Sequence, residues 1–327
     1  MSSADNQLFG EGGEGESPCW VLLGPTAAGK TAVSLKLARQ YPLEIVSVDS
    51  MQVYRGMDIG TAKPAPEDRA EVPHHMVDVV DPEQKFNVAR FRERALGAME
   101  QIRARGAVPL LLCGTPFYLK ALLWGLFDGP GADEDIRRKL RDKADREGVE
   151  KLHDRLRRVD PESAEKIDRA DYKRIERALE VYEITGEPIS ARQNEFDGPP
   201  EVGHVSVGIN WPREVLYERI EERVEQMLES GLVEEVRRLR DRLGPQASQA
   251  VGYKEVISWL EGEVPFDEAV RRVKRNTRHL AKSQLNWFRK LPVDAWVEAK
   301  GAAGIEEIAD RCAVWFKKIG DESLHVR

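Results

Sequence analysis

Trp20-Val21-Leu22-Leu23-Gly24-Pro25-Thr26-Ala27-Ala28-Gly29-Lys30-Thr31 is the stretch that decides the fold. Four apolar residues stop at Gly24-Pro25. From Gly24 to Thr31 the chain then matches G-x-x-x-x-G-K-[ST]. Beyond Lys30, Val33, Leu35, Leu37 and Ala38 recur among polar residues up to Gln40, the spacing of a helix. The glycines let the backbone curl so that several N–H groups point at phosphate oxygens, and the helix adds its positive N-terminal end. Lys30 would neutralise phosphate charge, and the Thr31 hydroxyl would sit on Mg²⁺. An ordinary glycine turn capping a helix is the bland alternative. The strand before the motif and the helix after it favour a loop for a di- or triphosphate built from Gly24, Pro25, Thr26, Ala27, Ala28, Gly29, Lys30 and Thr31.

Working outward, Glu44-Ile45-Val46-Ser47-Val48-Asp49 is a β-branched run ending in an acid. Strand, glycine turn, helix, strand is a βαβ start, which implies a parallel sheet. Phe86 to Gly106 reads as a helix, and Val108 to Cys113 as a continuous apolar strand covered on both faces. Gly114-Thr115 breaks that strand, and Phe117 to Leu126 is helical. The texture changes at Asp128-Gly129-Pro130-Gly131. From Asp135 to Thr185 the chain is highly charged, helical in spacing and almost free of strand signal. Val205 to Asn210 then alternates like a strand returning to the sheet. Long helices are expected from Arg213 to Leu243 and from Phe266 to Lys290, a strand at Ala295 to Val297, and a last helix near Ile305 to Lys317. The fold class is therefore α/β: a P-loop NTPase-like parallel sheet with helices on both faces, plus a small helical insertion. Residues 18–127 and 201–327 form the core domain and 128–200 the insertion. Residues 1–17, rich in Gly, Glu and Ser, read as a disordered tail without the features of a signal peptide.

The 327 residues suit two domains, or a core with an insertion. With 57 acidic and 50 basic residues, the net charge is −7, which excludes a uniformly basic nucleic-acid coat but not a local basic surface. Cys19, Cys113 and Cys312 are scattered, so a disulfide framework or structural zinc is not expected, and a reducing cytoplasm is. No run of about 18 apolar residues occurs, so no membrane span is expected.

A P-loop NTPase usually carries a further apolar strand ending in an acid that serves the metal. The strand at Leu110 to Cys113 ends without one. Asp49 is thus either the metal-side acid, a group acting on a second substrate, or a cap for the next segment. After it, Asp49 to Pro64 is a long irregular stretch of acid, amide, aromatic and basic residues. At the carboxyl end of a parallel strand, such a loop lies where open α/β sheets bind ligands. Asp49 and Gln52 are suited to reading a base edge.

These residues resemble the tRNA dimethylallyltransferase family, which prenylates an adenosine beside the anticodon. The resemblance rests on Gly24 to Thr31, Val48 to Pro64 (VDSMQVYRGMDIGTAKP), Val72 to Val80 (VPHHMVDVV), Gly114 to Leu119, Asp171 to Glu180 (DYKRIERALE), Val251 to Glu255 (VGYKE) and Asn276 to Arg289. It implies that the phosphate loop holds the diphosphate of dimethylallyl diphosphate, with Mg²⁺. It implies that Asp49 takes a proton from the exocyclic N6 amine of the adenosine 3′ to the anticodon, and that Thr115 and Arg137 stand beside the reacting groups with Lys30. It places the tRNA anticodon loop on Asp49, Ser50, Met51 and Gln52, on Lys173, Arg174, Ile175, Glu176 and Arg177, and on Gln249, Ala250, Val251, Gly252, Tyr253 and Lys254. The chain departs from the family pattern at Cys113 and Pro116, where glycines are usual, and at Ser283 and Asn286.

The acidic total leaves room for a basic face. From Arg271 to Lys290 there are eight Lys or Arg and no acid, Arg275 and Arg278 among them, as suits phosphate contacts on a long helix. Trp287 and Phe288 read as core residues. His74 and His75 have no other ligand candidates nearby and read as loop or core histidines. A P-loop kinase using ATP on a small metabolite, and a nucleotide-binding RNA adaptor, are the alternatives. The first leaves the Asp49–Pro64 block unexplained, and the second leaves Asp49 and Thr115 without a task. A cytoplasmic monomer is expected.

Overall fold

The computed structural model describes residues 18–126, 129–191, 198–300 and 304–324. The expected tail at 1–17 lies outside them. The larger of two compact units comprises residues up to 123 and from 202 onward, and the smaller spans residues 124–201.

In chain order the larger unit begins β1 (Cys19–Leu23), α1 (Lys30–Gln40), β2 (Leu43–Val48), α2 (Pro66–Glu71), β3 (His74–His75), α3 (Val88–Ala104), β4 (Val108–Cys113) and α4 (Pro116–Trp124). The smaller unit holds α5 (Glu134–Glu147), α6 (Val149–Val159), α7 (Pro161–Lys166) and α8 (Tyr172–Thr185). The larger unit resumes with β5 (His204–Asn210), α9 (Arg213–Glu229), α10 (Leu232–Leu239), α11 (Tyr253–Leu260), α12 (Phe266–Phe288), β6 (Ala295–Glu298) and α13 (Ile305–Leu324).

The six strands form one parallel sheet in the order β3-β2-β4-β1-β5-β6. Register aligns Leu23 with Cys113 and Val48 with Cys113, so β2, β4 and β1 end level with one another. The loops after these three neighbouring strands carry the phosphate motif, Gly114-Thr115 and Asp49. β1, β2 and β4 are buried along their whole length because helices cover the sheet, while β3, β6 and the ends of β5 are partly open. Each fully buried Leu, Ile or Val contributes about 1.5–3 kcal/mol. Trp20 of β1 stacks flat on Phe316 of α13, with ring centroids 4.5 Å apart. All three cysteines are buried and free. Burial pushes the Cys113 thiol well above the ordinary thiol range.

The single helix expected from Arg213 to Leu243 is two. α9 ends at Glu229, and Gly231 takes φ 98° between it and α10. That left-handed conformation is one that glycine adopts without a Cβ clash. Apolar spacing continues across the break, which hides it. The short β3, α2 and α11 lie in stretches where periodicity is too brief to read. In the smaller unit, Leu140, Leu152, Leu156, Ile175 and Leu179 pack into a core of their own.

Candidate active site

An open cleft of about 1020 Å³ lies at the carboxyl ends of β2, β4 and β1. The phosphate loop forms its floor. Ala27 is held at φ 63° and Gly29 at φ 87°, the curled backbone that the motif requires. Lys30 opens α1 and folds back, its Nζ donating to the carbonyls of Gly24 and Pro25 at 2.9 Å each. Burial lowers the Lys30 ammonium to about 8, with Arg223 adding to the effect and Asp49 opposing it. Thr31 also lines the cleft. Pro25 is buried and Ala28 fully so, and they support the loop rather than face solvent.

Asp49 follows β2 directly. Its Oδ1 accepts the backbone N–H groups of Met51 (2.8 Å) and Gln52 (3.2 Å), an Asx turn that starts the irregular loop. Its Oδ2 lies beside Gly114. A Cβ at position 114 would stand 2.9 Å from that oxygen, so only glycine leaves the carboxylate its place. Thr115 Oγ1 accepts the Ser50 N–H at 3.1 Å, and the Thr115 N–H donates to Val48 O. Asp49, Ser50, Thr115 and the phosphate loop are therefore brought together, as the strand ends suggested.

Three residues join them that sequence reasoning missed. Arg219 and Arg223 enter the cleft from α9. Arg219 Nε donates to Ala27 O at 2.8 Å, and its guanidinium lies 4.6 Å from the Trp211 ring centroid, bracing the phosphate loop. Arg223 has no ion-pair or hydrogen-bond partner among the described residues. Burial presses its pKa below the ordinary arginine value, and Asp49 opposes that. Gln284 of α12 is 7% exposed and spans two loops. Its Oε1 accepts the Thr26 N–H at 2.8 Å, and its Nε2 donates to Gly114 O at 2.6 Å. Only the position of Gln284 inside a matching block could have pointed to it.

Several other candidate residues are spent on structure. The Gln52 amide is fully engaged: Oε1 accepts from Ser47 Oγ (2.7 Å), and Nε2 donates to the carbonyls of Thr61 (3.2 Å) and Ala62 (3.3 Å). It presents no free edge to a base. Tyr253 is buried, and its hydroxyl donates to Glu235. Gln249, Ala250, Val251 and Gly252 line the cleft; Lys254 lies 3.8 Å from Glu255. Within the smaller unit, Ile175 is fully buried and Glu176 nearly so, the latter accepting from Tyr172. Neither side chain is offered to a partner. Arg137 and Arg177 both pair with the buried Glu180. Lys173 and Arg174 are exposed, Arg174 beside Asp171 at 3.3 Å.

Along α12, Arg271 and Arg272 pair with Glu268, Lys274 with Glu225 and Arg278 with Glu221. The charge run is thus partly neutralised, by Glu268 of its own first turn and by Glu221 and Glu225 of α9. Arg275 is exposed and has no such partner among the described residues. Phe288 is fully buried, as expected of a core residue, whereas Trp287 is only half-buried and lies outside the core. Among the described residues no cluster of three His, Cys, Asp or Glu could hold a metal. His75 instead bonds Glu44 (2.7 Å), which Arg105 also holds. Nor is any helix of the described residues long and apolar enough to cross a membrane.

A phosphate-loop motif, a strand-end carboxylate and converging cations on a parallel sheet define a P-loop-type α/β protein. Residues 52–291 match the family model described as IPP transferase, and residues 18–74 one described as isopentenyl transferase. The chain belongs to the IPP transferase family. It is 48% identical over 285 residues to the tRNA dimethylallyltransferase of Geobacter metallireducens, covering 86% of this chain and 92% of that one. The Symbiobacterium thermophilum tRNA dimethylallyltransferase is 47% identical over 287 residues, covering 87% and 90%. Among solved structures, the tRNA isopentenylpyrophosphate transferase of Bacillus halodurans superposes with a TM-score of 0.68 at 39% identity, covering 95% of this chain and all of that one. A eukaryotic dimethylallyltransferase described as acting on tRNA gives 0.77 at 28% identity, covering 91% and 78%.

Proposed function

We propose that this enzyme transfers the dimethylallyl group of dimethylallyl diphosphate to the N6 amine of the adenosine 3′ to the anticodon in tRNA. Its family makes it a tRNA prenyl transferase. The donor, the acceptor position and the residue roles are our reading. The observation that carries it is the meeting of the phosphate loop, Arg219 and Arg223 with a single strand-end carboxylate, Asp49. A diphosphate needs several cations and amide dipoles, and an amine nucleophile needs a base. In the step, the N6–C1 bond forms as the C1–O bond breaks. The bond pair leaves with the diphosphate, and the N6 proton passes to Asp49 Oδ2. Lys30, Arg223 and the loop amides face the departing charge, Arg219 keeps the loop in shape, and Thr115 steadies the turn that carries Asp49.

Mg²⁺ belongs to this proposal. The donor set suits it, because Thr31 lines the cleft with no carboxylate cage among the described residues, and a Mg²⁺ ion takes most of its ligands from phosphate and water. When bound, it supplies further neutralisation of the diphosphate. Exposed cations such as Arg275, Lys173 and Arg174 suit the tRNA backbone, and a monomer working in the cytoplasm, where tRNA is found, completes the reading. The relatives compared are tRNA transferases by name, which does not favour a metabolite kinase.

The test is to incubate the protein with dimethylallyl diphosphate, ATP, Mg²⁺ and unmodified tRNA, then to analyse nucleosides and small molecules. N6-dimethylallyladenosine and diphosphate in equal amounts are expected. Phosphate transfer from ATP without a prenylated nucleoside would overturn the proposal.

A further inference from the structure

Glu235 of α10 is a charged residue that is only 3% exposed, and the chemistry above gives it no role. Its Oε2 accepts the N–H groups of Asp58 (2.9 Å) and Ile59 (2.8 Å). Its Oε1 accepts the Gly60 N–H (3.0 Å) and the Tyr253 hydroxyl. Three successive amides thus converge on one carboxylate, an anion nest filled by a side chain. Desolvating a carboxylate is costly unless its lone pairs are satisfied, and here four donors satisfy them. Tyr253 packs so tightly on this turn that a Cβ at Gly60 would stand 2.3 Å from its Cε2.

The turn leads back to the reacting centre by bonded contacts. The residues after Gly60, Thr61 and Ala62, present their carbonyls to the Gln52 amide. The Gln52 backbone N–H in turn donates to Asp49 Oδ1, on the same carboxylate whose other oxygen lies beside Gly114. We propose that Glu235 and Gln52 are positioning residues that set the Asp49 carboxylate through the 58–62 turn, one arm fixing the turn and the other passing its position to Asp49. This rests on the prenyl-transfer reading and deepens it. The phosphate loop, by contrast, is braced by Arg219 and Gln284 and does not depend on Glu235.

The discriminating variant is Glu235→Gln. Its oxygen can keep the Asp58 and Ile59 amides, but its –NH₂ then faces the Gly60 N–H, donor against donor. Single-turnover prenyl transfer should fall at least tenfold, while the affinity for dimethylallyl diphosphate stays within twofold. Gln52→Leu should do the same by freeing the Thr61 and Ala62 carbonyls. Because both act through one turn, the double variant should lose little more than the worse single one, whereas independent sites would multiply. Tyr253→Phe removes one donor only and should lose less than Glu235→Gln; it serves if Glu235→Gln does not fold, and then a rate unchanged by Tyr253→Phe and Gln52→Leu counts against the inference. Multiplicative losses in the double variant, or a Glu235→Gln enzyme within twofold of wild type, would overturn it. A wild type that makes no prenylated nucleoside would overturn the underlying reading and this one with it.

Discussion

Asp49→Asn tests the proposed chemistry most sharply, because the structure dictates how the amide must sit. Asp49 Oδ1 accepts two backbone N–H groups, from Met51 and Gln52. An asparagine can satisfy them only by turning its oxygen that way. Its –NH₂ then occupies the place of Oδ2 beside Gly114, and presents a donor where the adenine amine needs an acceptor. The Asx turn survives, so folding should be unaffected. Removing a general base typically costs ~10²–10⁴-fold in rate, or about 3–5 kcal/mol. The added donor–donor conflict places the expected loss toward the upper part of that range. The assay is single-turnover transfer with saturating donor and tRNA, run across a Mg²⁺ titration, with tRNA affinity measured alongside. Affinity should change far less than rate. Asp49→Ala should be at least as slow and also less stable, since both N–H groups lose their acceptor. A rate within tenfold of wild type would refute the general-base role, and recovery at high Mg²⁺ would refute it and make Asp49 a metal-side acid.

On the proposed reading Lys30 binds the diphosphate as a cation, and burial lowers its pKa in the free protein to about 8. Below that pH it is already charged; above it, binding must take up a proton, so the donor Kd should rise up to about tenfold per pH unit, as calorimetry without tRNA would show. Lys30→Ala should weaken donor binding, abolish transfer and flatten that pH dependence. Gln284→Leu strands the Thr26 N–H and the Gly114 carbonyl, both half-buried beside the cleft, so urea unfolding should register a loss below the full cost of two buried groups, about 1–3 kcal/mol in all. Donor affinity should fall with it, and an unchanged unfolding midpoint would show that water replaces the amide. Arg275→Glu should weaken tRNA binding and reduce the salt slope by about one or more, because this cation has no internal partner among the described residues. Arg278→Glu should instead act chiefly through repulsion of Glu221. An equal effect of both on tRNA affinity would refute the distinction.

What the sequence made legible is what lies directly behind a short apolar strand. The phosphate loop and Asp49 each follow such a strand, so strand, turn and chemistry fall within a dozen residues. Arg219, Arg223 and Gln284 lie far along the chain, Gln284 258 positions from the Thr26 amide it holds. On α9 and α12 they read as ordinary members of charged helix faces. Nothing in helical periodicity separates a guanidinium facing solvent from one facing a cleft. The same blindness applies to the basic run on α12, whose partners Glu221 and Glu225 sit on α9 and become neighbours only in the fold.

A second limit is subtler and concerns residues inside the recognised blocks. The stretch from Asp49 to Pro64 resembles the family as a unit, and the resemblance places its first four residues, Asp49, Ser50, Met51 and Gln52, against the tRNA. The hydrogen bonds divide it differently. Asp49 keeps one oxygen free of the turn, while Gln52 spends its amide on Ser47, Thr61 and Ala62. Lys63, whose side chain is 2% exposed, is committed to Tyr54 O, Asp58 and Asp78. Tyr253, from the VGYKE block, seals the turn from outside. A long irregular loop has no ladder of its own to satisfy its backbone, so polar side chains must do so. These polar residues of the block are therefore engaged in holding the loop itself, and on the proposed reading the chemistry rests on the few atoms that the loop does not consume.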